Sequence, residues 1–434
     1  MNHTTSRRGS LALRSGLRLL LCGVLAATAA RCGSRASGPT GAPPSGPAAG
    51  DQIVVLVSFD GFRWDYPDRD VSPNLDDLAA RGVRADGLIP SFPTKTFPNH
   101  YTLVTGLVPD HHGIVANTMY DPVFDAVFSM ADREEVRNER WWAGEPVWVS
   151  AEKHGLATAP LFWPGSEADI GGVVPSHWLP FDGSMSDTAR VQWVLDLLDL
   201  PDAERPSFLT LYFDHTDVAG HDLGPDSDEV LAAIAREDRA LGLLVRGLEE
   251  RGLSERTNVV VVSDHGMIAT SRDRVMFVDD YVDLEIARPI DWNPVLALWP
   301  AEADVPAVYE ALHGAHPHVS VFLRDSIPAR LQYGTNRRVP PMLGIADPGW
   351  TITNHAYYDP HLERADGGNH GYDNQARGMQ GIFIAAGPAF RAGVRVPAIR
   401  NVDVYPMLMW ALGLPAAPGD GDIERVRDLL GGQD

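Results

Sequence analysis

Six carboxylate and imidazole side chains, which lie in short segments of the sequence, could bind metal ions. They are Asp60, Asp217, His221, Asp264, His265 and His370. Together they supply two sets of three oxygen or nitrogen ligands, the number that two zinc ions use when each keeps a coordination position open for chemistry. Zn²⁺ is the first choice, although Mn²⁺ and iron also accept such ligands. Taken one at a time, each residue is better explained as a helix cap, a turn residue or a solvated loop residue.

A threonine hydroxyl could act as a nucleophile beside such metals. Thr96 lies in PSFPTKTFPNHYTLVTG, where Pro98 suits the first turn of a helix, so we expect Thr96 at or just before a helix N-terminus. Unpaired backbone N–H groups and the helix dipole favour an anion there. The alternative is an ordinary N-cap threonine. Because a threonine hydroxyl is a poor nucleophile at neutral pH, the catalytic role requires activation by a metal or a base.

The elements that must position these side chains are short apolar runs rich in Val and Ile. Three of them lead into the candidate ligands: Ile53–Phe59 into Asp60, Ser207–Phe213 into Asp217, and Asn258–Ser263 into Asp264 and His265. A fourth run, Gly381–Ala385, follows His370, and helical spacing covers Asp226–Arg251. Continuous apolar runs are typical of strands buried on both faces, so the sequence predicts an α/β fold with a mostly parallel central sheet and helices on both faces. Ligands bind beyond the carboxyl ends of such strands, where the three acids would repel one another without a cation.

The N-terminal 50 residues have a different composition. Arginines precede the apolar run Leu19–Ala30, which is too short to span a bilayer and is typical of an export signal, and residues 36–50 are a Gly/Pro/Ala-rich tether. We therefore expect an exported protein, periplasmic or extracellular, with a catalytic domain over residues 51–434. Cys32 could carry a lipid anchor.

The folded part has no cysteine, which excludes thiolate sites there. The net charge of -22 disfavours nucleic-acid polymers as partners.

The motifs VSFDGFRWDY, PTKTFPNHYTLVTGLVPDHHGIVAN, FWPGS, DVAGH, VVSDHG and NHGYDN occur in this order. In that order they resemble the nucleotide pyrophosphatase/phosphodiesterase family, which belongs to the alkaline phosphatase superfamily. The resemblance covers nearly everything from residue 51 onward and suggests a compact bacterial form with a single catalytic domain. It implies an alkaline phosphatase-like fold and hydrolysis of phosphodiester and pyrophosphate bonds of nucleotides. The reaction would pass through a phosphothreonine at Thr96 and release 5'-nucleoside monophosphates.

The resemblance also implies a role for individual residues. One zinc ion would be held by Asp60, Asp264, His265 and the Thr96 oxygen, and the other by Asp217, His221 and His370. Asn117 matches the phosphate-binding asparagine of the family, and the Phe97 backbone N–H would help it to hold a phosphoryl oxygen. Phe97 and Trp178 are candidates for contacting the base of a small nucleotide substrate, although Trp178 could equally be a partly buried structural residue.

Other readings stay open on the sequence alone. Some relatives cleave choline-type lipid phosphodiesters, which requires an aromatic and acidic cage for the quaternary ammonium. A phosphomonoesterase would need a further cation near the nucleophile, where only Lys95 is available, and a non-catalytic zinc-binding relative would have no use for Thr96. The segment from about residue 271 to 358 separates the Asp264–His265 pair from His370, and we interpret it as a small inserted subdomain beside the site.

Overall fold

The computed structural model describes residues 47–364 and 366–431. The predicted export signal, most of the tether and Cys32 lie outside the described residues. The strands are β1 (Ile53–Phe59), β2 (Val83–Ala85), β3 (Leu88–Ile89), β4 (Thr118–Asp121), β5 (Ala126–Ser129), β6 (Thr158–Pro160), β7 (Phe208–Phe213), β8 (Thr257–Val262), β9 (Ile268–Ala269), β10 (Val275–Phe277), β11 (Pro289–Asp291), β12 (Val295–Leu298), β13 (Val319–Leu323), β14 (Met342–Ala346), β15 (Thr351–Thr353), β16 (Gly368–Asn369), β17 (Phe383–Ala386), β18 (Val394–Val396) and β19 (Ile399–Arg400).

The α-helices connect these strands and cover them. They are α1 (Pro73–Arg81), α2 (Thr96–Thr105), α3 (Pro109–His112), α4 (Arg133–Val136), α5 (Val147–Lys153), α6 (Asp187–Leu198), α7 (His215–Leu223), α8 (Asp228–Glu250), α9 (Leu284–Ala287), α10 (Val305–Leu312), α11 (His355–Tyr358) and α12 (Val404–Ala411). Within the described residues, none of these helices combines the length and the apolar character that a membrane span requires.

The central sheet has seven strands in the order β18-β2-β17-β8-β1-β7-β6. Six of them run in one direction, and β17 alone is antiparallel to its neighbours β8 and β2. The predicted α/β fold with a mostly parallel sheet is therefore confirmed. The run that we predicted over Gly381–Ala385 forms β17 with the opposite direction. A strand buried on both faces has the same continuous apolar pattern in either direction, so its sequence does not reveal this.

The apolar residues of β1 alternate between two cores, one on each face of the sheet. Val54 and Leu56 belong to a cluster with residues of α2, α5 and α12. Val55 and Val57 belong to a second cluster with residues of α1, α6 and α8. Side chains of a strand point to alternate faces, so an unbroken apolar run provides both cores at once. Each fully buried Val or Leu contributes about 1.5–3 kcal/mol relative to an exposed one, and the two helical layers fix the sheet that carries the site.

A second, smaller sheet lies within the segment that we interpreted as an insertion. It is antiparallel, with the order β11-β12-β14-β13. It has an apolar cluster of its own, in which Leu296 and Leu298 pack with Val308 and Leu312 of α10. This sheet reaches the central domain next to Thr96, because Asp291 at the end of β11 pairs with Lys95.

Three neighbouring strands bring the acidic residues together. Strands β8, β1 and β7 are adjacent and parallel, so their carboxyl ends meet at one edge of the sheet. Asp60 directly follows β1, Asp264 lies two residues after β8, and Asp217 lies in the first turn of α7, which begins just after β7. This is the edge at which open α/β sheets bind ligands.

Candidate active site

The six predicted ligands converge at this edge of the sheet. Asp217, His221 and His370 form one group whose ligand atoms lie within 4.8 Å of one another, and helix α7 accounts for part of it, because residues four apart share a helix face. Two overlapping groups, Asp60–Asp217–His265 and Asp60–His100–Asp264, lie beside it. The imidazole Nε2 of His265 is 3.0 Å from Oδ2 of Asp264 and 3.4 Å from Oδ1 of Asp60.

Three buried carboxylate oxygens have no hydrogen-bond partner among the described residues. They are Oδ1 of Asp60, Oδ1 of Asp217 and Oδ2 of Asp264. A buried polar atom without a partner is costly, and a buried carboxylate oxygen more so than a neutral one. All three belong to the groups described above, where a divalent cation would satisfy them. The donor set therefore fits metal ions, and it contains the oxygen and nitrogen ligands that zinc accepts.

The three histidines present the correct nitrogen to such a cation. The Nδ1 atoms donate to backbone carbonyls at 2.9 Å in each case: His221 to Gly368, His265 to Gly266 and His370 to Thr94. A proton fixed on Nδ1 leaves the lone pair of Nε2 free to bind a metal, and this arrangement also holds the ring in place. The rings of His265 and His370 are stacked with centroids 3.5 Å apart, so two protonated imidazoles would repel each other strongly.

The electrostatics of the carboxylates also call for a cation. Burial, with the neighbouring Asp264 charge, raises the pKa of the Asp60 carboxyl well above its ordinary value, and burial likewise raises the pKa of Asp217. Burial acts in the same direction on Asp264, but the imidazoles of His265 and His100 outweigh it and hold the pKa of Asp264 well below its ordinary value. Positive charge placed beside Asp60 and Asp217 would therefore favour their ionised forms.

Thr96 is the first residue of helix α2, as predicted, and it is buried. Its Oγ1 lies 3.3 Å from Nε2 of His265. The next backbone N–H, that of Phe97, donates to Oδ1 of Asn117 at 2.9 Å. We expected this N–H to point at a phosphoryl oxygen, but in the structure it orients Asn117. With Oδ1 committed to the backbone, the Nδ2 group of Asn117 is the donor that this side chain can offer to an anion.

Two residues that sequence reasoning missed, the buried His100 and the half-buried Tyr212, lie against the predicted ligands. His100 bridges Oγ of Ser58 at 2.8 Å and the backbone oxygen of Thr96 at 2.9 Å, and its Nδ1 lies 3.3 Å from Oδ2 of Asp264. Tyr212 donates its hydroxyl to Oδ2 of Asp60 at 2.6 Å. The only sequence signal for His100 is its position four residues after Thr96 on one helix. Tyr212 has none beyond its place near the end of a strand.

A cavity of about 340 Å³ opens beside Thr96 and Phe97. Its apolar walls come from Phe162, Trp163 and Phe181. Trp178, the aromatic residue that we expected near a bound base, is half-buried and does not line this cavity. Phe181, three residues later, lines the cavity instead.

Tyr212 gives a first testable prediction. Burial and the Asp60 charge raise the pKa of the Tyr212 phenol, so it stays protonated and donates to Asp60. Tyr212→Phe removes this bond and keeps the ring, and we expect kcat/KM for phosphodiester hydrolysis and the affinity for zinc to fall by about tenfold. Tyr120→Phe, which breaks an exposed hydrogen bond to Asp125, is the matched control. Unchanged zinc affinity and activity in Tyr212→Phe would contradict a positioning role.

Comparison with known proteins agrees with this geometry. The sequence model of the family described as Type I phosphodiesterase / nucleotide pyrophosphatase matches residues 54–373. Human ectonucleotide pyrophosphatase/phosphodiesterase family member 5 is 38% identical over 380 residues, which cover 87% of this chain and 78% of the human protein. A bis(5'-adenosyl)-triphosphatase from Xenopus laevis is 37% identical over 382 residues, covering 88% of this chain and 82% of its own length.

A solved structure is similar over the same region. Murine ectonucleotide pyrophosphatase/phosphodiesterase 5, determined as an inactive threonine-to-alanine variant in complex with AMP, matches with a TM-score of 0.83 at 38% identity, and the match covers 88% of this chain and 100% of that chain. The family model spans most of the chain and includes every residue of the three metal-type groups. This chain therefore belongs to the type I phosphodiesterase/nucleotide pyrophosphatase family and is a hydrolase of phosphodiester and phosphoanhydride bonds.

Proposed function

We propose that this chain hydrolyses phosphodiester and pyrophosphate bonds of nucleotides through a covalent phosphothreonine at Thr96 and releases 5'-nucleoside monophosphates. One observation carries the proposal: the Thr96 hydroxyl lies at a helix N-terminus, between the metal-type ligands and an aromatic cavity. The murine relative that is inactive as a threonine-to-alanine variant was solved with AMP, and the Xenopus relative is named for cleaving a dinucleotide. Both support a nucleotide substrate, and the murine variant also supports an essential threonine.

Two zinc ions fit the residues present. One would be held by Asp60, Asp264 and His265 together with Thr96, and the other by Asp217, His221 and His370. When bound, such ions supply positive charge that lowers the pKa of a coordinated hydroxyl and offsets the charge of phosphoryl oxygens. The hydrogen bond from Tyr212 orients the Asp60 carboxylate, and the His100 imidazole packs against Asp264, so both residues help to position these carboxylates.

Thr96 performs the covalent step. Its hydroxyl proton passes to solvent, Oγ1 forms a bond to phosphorus, and the bond from phosphorus to the leaving oxygen breaks with its electron pair remaining on that oxygen. Asn117 offers its Nδ2 group to a phosphoryl oxygen, because its Oδ1 is occupied by the Phe97 N–H. A water molecule then attacks phosphorus and loses a proton, and Thr96 Oγ1 leaves and is reprotonated. The nucleoside monophosphate is thereby released.

The surroundings of the nucleophile favour diesters over monoesters. A monoester carries an extra negative charge, which a nearby cation would have to offset. The only cationic residue in the sequence segment around Thr96 is Lys95. In the structure Nζ of Lys95 pairs with Oδ2 of Asp291 at 2.5 Å, and both side chains are largely buried. A neutralised lysine attracts a further phosphate charge only weakly. We therefore expect the enzyme to discriminate against phosphomonoesters.

The cavity beside Thr96 favours a base over a choline head group. The acid available there is Glu167, whose buried carboxylate already pairs with Arg133 and Arg137. Arg133 also lies over the ring of Phe181, with its Cζ 5.6 Å from the ring centroid. A quaternary ammonium would therefore meet an arginine at the aromatic face, and the carboxylate among the described residues that line the cavity is already paired. An uncharged aromatic base can stack on the exposed part of Phe181 instead.

A panel of chromogenic substrates tests this specificity. We expect kcat/KM for p-nitrophenyl thymidine phosphate to exceed the values for p-nitrophenyl phosphorylcholine and p-nitrophenyl phosphate by at least about tenfold. Phe181→Ala should raise KM for the thymidine ester by about tenfold through the loss of base stacking. Trp178→Ala is the matched control and should leave KM within about twofold, because that side chain lies outside the cavity. Preference for the choline ester would overturn the nucleotide assignment.

Export to the periplasm or the extracellular space is a further proposal that rests on the N-terminal sequence alone. Arginines followed by a short apolar run support an export signal. Lipid attachment at Cys32 stays a prediction. Mass spectrometry of the N-terminal peptide of the mature protein tests both, since cleavage just before Cys32 with a blocked N-terminus is expected only for a lipoprotein.

A further inference from the structure

Glu237 is a fully buried carboxyl group in the middle of helix α8, and its side chain reaches the first turn of helix α7. Oε1 of Glu237 accepts the backbone N–H of His215 at 3.0 Å and that of Thr216 at 3.1 Å. These are the first two residues of α7, the helix that carries Asp217 and His221. A carboxyl group of one helix therefore fixes the start of another helix, which holds two candidate metal ligands.

Helix α7 takes its N-terminal cap from outside its own segment. The first backbone N–H groups of a helix have no partner within the helix, and the residue just before the helix often supplies one from its side chain. Asp214 lies at that position, but its carboxylate makes no capping hydrogen bond. Glu237 supplies the acceptor instead. Because this cap comes from α8, it ties the position of α7 to that of α8, which a cap from Asp214 could not do.

The hydroxyl of Thr216 extends this contact to the end of strand β1. Its Oγ1 donates to the backbone oxygen of Asp60 at 2.6 Å, and the same Oγ1 lies 3.1 Å from Oε2 of Glu237. A carbonyl oxygen can only accept, so the single hydroxyl proton points at Asp60 and the carboxyl of Glu237 is the donor toward Thr216. That direction requires a protonated carboxyl. In agreement with it, burial raises the pKa of Glu237 well above its ordinary value.

The end of β1 and the start of α7 are packed against each other without a gap. Gly61, directly after Asp60, has a positive φ of 66°, and a Cβ atom there would lie 2.9 Å from Cα of Asp217. Asp60 and Asp217 belong to different sites in the proposed assignment, so the contact that spaces these two residues also spaces the two metals. Functional groups of a site must be held within about 0.5 Å of their productive positions, which makes this spacing important for the reaction.

We propose that Glu237 is a positioning residue for this reaction and that, through Thr216, it holds α7 against the end of β1 and so sets the spacing of the two candidate metal sites. The inference rests on the proposed metal-dependent reaction and adds to it a residue that acts on the ligands from behind. Without this carboxyl, α7 would be free to shift relative to Asp60 and would carry Asp217 and His221 with it. Both sites would then lose their geometry although every ligand is still present.

Asp238, the next residue of α8, offers a matched control. It is also buried and also caps a helix, since its Oδ1 accepts the backbone N–H of Leu75 at 2.9 Å and its Oδ2 accepts Nδ2 of Asn74 at 2.6 Å. That helix is α1, which carries none of the candidate ligands. Removing either carboxyl should therefore lower the stability of the fold, and only an effect on the metal sites separates the two residues.

The test measures zinc affinity, by competition with a chelator, and kcat and KM for p-nitrophenyl thymidine phosphate in excess zinc. We expect Glu237→Ala to weaken zinc binding and to lower kcat by at least about tenfold each, with KM within about threefold of wild type. Glu237→Gln should retain at least about half of wild-type kcat, because its amide oxygen accepts both N–H groups and its amide nitrogen donates to Thr216. Asp238→Ala should lower Tm as Glu237→Ala does, but leave zinc affinity and kcat within about twofold of wild type.

Thr216→Val removes the hydroxyl and keeps the shape of the side chain, so it should weaken zinc binding as well, and it decides the question if Glu237→Ala does not fold. Unchanged zinc affinity and kcat in Glu237→Ala, or in Thr216→Val where Glu237→Ala does not fold, overturn the inference while the proposed function stands. A loss in Glu237→Gln equal to that in Glu237→Ala also overturns it, as does an equal loss of zinc affinity in Asp238→Ala. Failure of zinc-supplied wild type to hydrolyse the thymidine ester overturns the proposed function itself.

Discussion

Thr96→Ala is expected to reduce kcat/KM for p-nitrophenyl thymidine phosphate by at least about a thousandfold. The Thr96 hydroxyl is the only aliphatic side-chain hydroxyl that the described structure places at both the metal-type ligands and the cavity beside Phe97. Water attack in its place would lose the positioning that helix α2 provides. Binding should survive, because the walls of the cavity are unchanged. KM is therefore expected to change far less than kcat.

Thr96→Ser is the matched control for this variant. Serine keeps the nucleophilic oxygen and loses only the methyl group, so we expect it to retain at least about a tenth of wild-type activity. Quenching a reaction of labelled nucleotide with acid should leave label on wild type and on Thr96→Ser and none on Thr96→Ala. Full activity of Thr96→Ala, or label on that variant, would rule out a phosphothreonine at this position.

The second large loss of activity is expected from two single variants, each of which removes one ligand of a different candidate metal site. Asp264→Asn and His221→Ala are suited to this because each residue belongs to only one of the three ligand groups. We expect each to lower kcat/KM by at least about a hundredfold, more than the loss typical of residues that merely orient a ligand. Each variant should also lose about one bound zinc per chain relative to wild type, as measured by elemental analysis after gel filtration.

His318→Ala controls for the loss of a histidine, since that side chain is exposed, pairs with Asp347 and lies outside the ligand groups. Its activity and metal content should match wild type. Treating wild type with a chelator should abolish turnover and lower Tm, because the three buried carboxylate oxygens then have neither a cation nor a hydrogen-bond donor. Unaltered metal content in both ligand variants would mean that these residues do not bind metal.

The sequence by itself determined the fold class and the convergence of the acidic residues. Runs such as Ile53–Phe59 are long enough and apolar enough to fix buried strands, and a parallel sheet delivers the residues that follow them to one edge. Pro98 placed Thr96 at a helix start, and the spacing of Asp217 and His221 placed both on one helix face. Each of these patterns lies within about ten consecutive residues. Such a pattern can be recognised without knowing which residues distant in the sequence pack against it.

Tertiary structure alone decided which distant groups meet. The direction of β17, the bond from Tyr212 to Asp60 and the position of His100 against Asp264 depend on how strands pair and helices dock, between residues 150 to 165 positions apart in the last two cases. The same holds for Phe181, which lines the cavity where Trp178 was expected. Backbone periodicity fixes the face on which a side chain lies, but its partner is fixed by packing across the whole core, and no short stretch of sequence contains that information.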